Sequence, residues 1–84
     1  MTRLERLRVD AALSPEQLGA IADVAGGTIR RIEAGKGAQL ATLGKLAQVF
    51  TDRAREADED AEAVRPLDLL THVDAESERA RSAA

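Results

Sequence analysis

Eighty-four residues with a net charge of −3, a pI near 5.1, no cysteine and one histidine exclude a disulfide scaffold, a thiolate metal site and a zinc site built on histidines. Apolar residues make up 44% of the chain and aromatic residues 1%, so one small domain with an aliphatic core is expected. No apolar run approaches the roughly 20 residues that span a bilayer, and Arg3, Glu5, Arg6, Arg8 and Asp10 interrupt any secretory signal, so a cytoplasmic protein with no membrane partner is expected.

Helical spacing begins at once. Leu4, Leu7 and Ala11 share one face of a first helix over about residues 2–12. In "SPEQL", Ser14 is a natural N-cap, Pro15 suits the first helical position and Gln17 completes a capping box. This second helix, over 15–22, carries Leu18, Ile21 and Ala22 inward, and Asp23 and Val24 make the turn that follows. A third helix spans 26–34 and stops at Gly35. At about 100° per residue, Ile29 and Ile32 define its buried face, while Gly27, Ala34, Arg30 and Arg31 surround the opposite one. Glycines that strip side chains from a helix N-terminus beside two arginines suit close approach to phosphate. The loop "GKGAQ" leads into a fourth helix over about 39–50, with Leu40, Leu43, Leu46, Ala47 and Phe50 on one side. No strand signal interrupts this order. The fold class expected is all-α, a compact bundle of four to five helices.

Charge divides the chain near residue 50. Residues 1–50 carry seven basic and five acidic residues, and residues 51–84 carry five and ten. The expected organisation is a core at 1–50 and an acidic helical extension at 51–84. Ala54, Ala57, Ala61 and Val64 continue the helical spacing there. An apolar segment at 66–73 follows, in which Leu67, Leu69, Leu70 and Val73 either pack on the bundle or contact a second copy or a partner. His72 is expected at the surface or an interface, and residues 75–84 are expected to fray.

The stretch "LRVDAALSPEQLGAIADVAGGTIRRIEAGKGAQLATLGKLAQVF", residues 7–50, resembles the helix-turn-helix domain of the phage repressor and Cro family, the xenobiotic-response-element type. The resemblance is carried by Leu7-Arg8, Leu13-Ser14, Glu16, Leu18, Val24, Thr28-Ile29, Ile32-Glu33, Gly35-Lys36 and the leucine-rich run from Leu40 to Phe50. It is ungapped from Leu7 to Lys36 and covers about half of the chain. It implies a lambda-repressor-like fold in which residues 15–22 position a recognition helix at 26–34 in the DNA major groove, often in a homodimer. It implies a structural ion pair between Arg8 and Glu33. It places Gly26, Gly27 and Arg31 at base-contacting positions, with Thr28 beside them, and Arg30, Lys36 and Gln17 near phosphate. This chain departs from the family pattern at Pro15, Gly19, Asp23 and Ala25, and two of its base-contacting positions lack a side chain.

The function expected from the resemblance is a bacterial or phage transcriptional regulator, a repressor or autoregulator that binds double-stranded DNA. The alternative is an antitoxin or adaptor whose acidic tail docks a partner protein. Gly35-Lys36-Gly37 follows no strand and lacks the ending of a phosphate-binding loop, and no nucleophile lies paired with a base. The expectation is a non-enzymatic chain without a cofactor.

Overall fold

The computed structural model describes residues 1–73. Four α-helices follow in order, α1 (Arg3–Asp10), α2 (Pro15–Ala22), α3 (Gly26–Glu33) and α4 (Leu40–Ala57), and a short 3₁₀ helix spans Pro66–Leu70. No strand occurs among the described residues.

Local chemistry sets the helix ends. Thr2 Oγ1 caps α1 by accepting from the Glu5 amide (3.1 Å). α1 stops two residues earlier than its periodicity extends, because Ala12 takes a left-handed conformation (φ 58). There the Ala12 amide donates to the Val9 carbonyl and the Leu13 amide to the Arg8 carbonyl, a Schellman closure. Gly35 (φ 81) ends α3 in the same way, with its amide on Ile32 and the Lys36 amide on Arg31. The capping box of α2 is complete. Ser14 Oγ accepts from the Gln17 amide (3.1 Å), and Gln17 Oε1 accepts from the Ser14 amide (2.8 Å). Ser14→Ala is therefore expected to cost about 1 kcal/mol, read as a lowered midpoint in urea denaturation at unchanged slope.

The core is aliphatic apart from Phe50. Leu4, Leu18, Ile29, Ile32, Leu43 and Leu46 are at most 1% exposed, and Leu69 joins them at 0%. α2 packs on α3 and on α4, and the 3₁₀ helix packs on α1 and α4. Two expected core positions lie outside it. Ile21 is 53% exposed and Leu40 63%, because each sits at the edge of its helix's apolar face with no element packed over it.

The boundary expected at residue 50 falls inside α4, which continues to Ala57. The acidic segment after it is irregular, not helical. Asp58 leaves the helical conformation (φ −150, ψ 106), and its carboxylate accepts from the Asp60 amide (3.1 Å). Three consecutive acids at a helix C-terminus oppose the helix dipole, and the local side-chain bond competes with continued helix. The segment is tied down by Thr51, which is buried. Its hydroxyl donates to the Ala47 carbonyl (2.8 Å) and accepts from the Val64 amide (2.9 Å). Arg55 Nε adds a bond to the Ala61 carbonyl (3.2 Å).

Leu69 is thus core, so of the two alternatives expected for this segment it takes the one that packs on the bundle. Leu67 (64% exposed) and Leu70 (38%) do face outward, and Val73 is half-buried. The 3₁₀ repeat explains the split, since residues three apart eclipse and the one between turns away. Residues 71–73 close against the N-terminus. The Arg3 amide donates to the Thr71 carbonyl (2.8 Å), the Val73 amide to the Met1 carbonyl (2.9 Å), and the Met1 amino group to His72 Nε2 (3.0 Å). No helix among the described residues is long and apolar enough to cross a membrane. Residues 75–84, expected to fray, lie outside the described residues.

Candidate nucleic-acid interface

α3 is anchored from behind. Ile29 and Ile32 are buried, and Glu33 accepts two bonds from Arg8 of α1. Nε reaches Oε2 at 2.7 Å and Nη2 reaches Oε1 at 2.9 Å, while Nη1 donates to the Leu13 carbonyl (2.9 Å). The hydrogen bond to Glu33 raises the Arg8 pKa above its ordinary value, against the lowering effect of burial. The structure thus brings together the two residues that the resemblance pairs, and the bidentate geometry fixes the rotation of α3.

With one face held, the other is fixed outward. Arg30 and Arg31 are exposed there and Thr28 is half-buried, while Lys36 is exposed in the loop that follows. Thr28 and Arg31 border a depression of about 370 Å3 whose other walls are Gly37, Ala38, Gln39 and Thr42. Gln39 and Thr42 were not singled out in the sequence, because they read as a loop residue and the polar side of the fourth helix. Gln17 is exposed, but its carboxamide oxygen is committed to the capping box.

The three glycines near the turn have different reasons. A Cβ on Gly19 would collide with the Val24 carbonyl oxygen, so the turn between α2 and α3 sits directly on the α2 backbone. A Cβ on Gly26 would lie 3.3 Å from Glu16 Cα and Cγ, so Gly26 makes room for α2 and is half-buried. A side chain at Gly26 would therefore press on α2 before it reached outward. A Cβ on Gly27 would meet nothing within 4 Å. The N-cap of α3 is Ala25, which provides no side-chain bond, and the first turn holds no acid. α1 and α2, by contrast, each have a side-chain cap and a first-turn acid.

One acid reaches this face from the neighbouring helix. Arg30 Nη2 donates to Glu16 Oε1, and both side chains are 57% exposed. The backbone amide of Glu16 and then the Arg30 guanidinium hold the Glu16 carboxyl below the usual carboxylate range, so it is ionised at neutral pH. Sequence reading missed this pair because the partners lie 14 residues apart on separate polar faces. Arg31 and Lys36 have no acidic partner within 4.0 Å among the described residues.

Comparison of the chain with protein-family models, with curated proteins and with solved structures returns no match.

Proposed function

We propose that this chain is a helix-turn-helix regulator that binds double-stranded DNA with α3 in the major groove and α2 positioning it. The observation that carries this reading is the outer face of α3. An uncapped N-terminal turn, a glycine with open space above it and Arg31 without an acidic partner lie together on a helix locked from behind, and Lys36, likewise without one, follows in the loop after it. Bare amides at a helix start favour a phosphate, and an outward arginine one turn on suits bidentate contact with guanine. The lambda-repressor-like pattern across residues 7–50 supports the same placement.

Arg31 is the base reader in this scheme. Arg31→Ala is expected to narrow the free-energy gap between operator and mixed-sequence DNA by about 1–3 kcal/mol per half-site. The measurement is competition binding to the DNA upstream of the protein's own gene at two salt concentrations. Equal losses on operator and mixed sequence would remove Arg31 from base readout.

A second reading is favoured by the exposure of Glu56, Asp58, Glu59, Asp60 and Glu62 around the end of α4. In it, the chain is an adaptor or antitoxin whose acidic segment docks a basic protein, and Leu67 and Leu70 supply apolar contact or a dimer seam. Absence of DNA binding at low salt, where phosphate attraction is strongest, would favour this reading over the first.

A further inference from the structure

Glu16 is out of place on a surface meant for phosphate. It belongs to the first turn of α2, yet its side chain runs along the first turn of α3, against Gly26, and its carboxylate takes the Arg30 guanidinium. Both partners are more than half exposed, so the pair contributes little to folding and is easily exchanged for another. Of the three cations on the outer face of α3 and the loop behind it, Arg30 alone is neutralised in this way.

Resting on the DNA-binding reading above, we propose that Glu16 is a built-in competitor for DNA phosphate. Its carboxylate holds Arg30, so that Arg30 reaches a backbone phosphate only by giving up Glu16. Attraction to arbitrary duplex is thereby reduced to what Arg31, Lys36 and the α3 N-terminus provide. A complex that seats α3 fully in the groove brings a phosphate close enough to displace the carboxylate, and Arg30 then adds its contact. Specificity in this arrangement arises from a suppressed background, which suits a chain of net charge −3 whose direct base readout rests on few side chains.

The test is a double-mutant cycle on the full chain, with a mixed-sequence duplex of about 30 base pairs and a titration between about 50 and 200 mM NaCl. Glu16→Gln keeps the size and packing of the side chain and removes its charge. It is expected to tighten binding about threefold to fivefold at the lowest salt and to steepen the slope of log K against log salt by about one unit. In the Arg30→Ala background the same change is expected to give less than about a twofold gain, since the competitor then has nothing to release. An unchanged affinity and slope in Glu16→Gln, or an equal gain with and without Arg30, overturns the proposal. Arg31→Ala keeps the two readings apart. If it weakens binding while Glu16→Gln has no effect, the competitor fails and the DNA interface stands. If neither the wild type nor Glu16→Gln binds the duplex at the lowest salt, both fall.

Discussion

Glu33→Ala is expected to lower stability by about 3 kcal/mol, a fall in melting temperature of about 12–24 °C for a domain of this size. The reason is what it leaves behind. Arg8 would keep only its bond to the Leu13 carbonyl, and two of its donors would lose their acceptors in a setting where its side chain is 13% exposed. A guanidinium cannot shed its proton to escape, so the full desolvation cost remains. The value sits at the lower end of the range for broken buried pairs because neither side chain is completely shielded. The companion Arg8→Met/Glu33→Leu variant removes both charges and fills the space with apolar groups, so it is expected to recover most of the loss. Thermal unfolding followed by circular dichroism at neutral pH reads both. A melting temperature unchanged in Glu33→Ala would show that the pair does not hold α3.

Gly27→Glu is expected to abolish DNA binding, by at least about a hundredfold, while the fold survives or gains slightly. Nothing lies within 4 Å of where the Cβ would be, so no neighbour has to move. Replacing a helical glycine adds helix propensity of up to about 1 kcal/mol, and an acid in the first turn of α3 suits the helix dipole, which no residue of α3's own first turn now complements. The same carboxylate would lie where the proposed interface meets phosphate and bases, adding bulk and a like charge. Stability and binding therefore move apart, and a melting curve run beside a duplex titration separates them. Retained affinity in a folded Gly27→Glu variant would mean that DNA does not lie against this face of α3.

Much of the local structure was legible in residue order because it depends on neighbours in the chain. The capping box and Pro15 mark the start of α2, Gly35 marks the end of α3, and the spacing of Ile29 and Ile32 marks the buried face that aims Arg31 outward. Periodicity overran the end of α1, since the stop is a left-handed alanine that nothing in its side chain announces. The pairing of Arg8 with Glu33 came from the resemblance, not from spacing, because the two residues are 25 apart and lie on different helices.

Tertiary packing decided the rest. An apolar residue at the border of a helical face is buried only if another element covers it, and none covers Ile21 or Leu40, whereas Leu69 is enclosed where the 3₁₀ helix meets α1 and α4. α4 runs past Phe50, and Thr51 on that added stretch ties the returning segment to it through the Val64 amide. The glycine pair at the start of α3 reads as one feature in sequence but divides in space. Gly26 is small because Glu16 lies against it, and Gly27 is small with open space above it. Whether a missing side chain makes room for the protein or for a ligand depends on what stands opposite. That is set by how α2 crosses α3, a relation between distant residues that local periodicity does not encode.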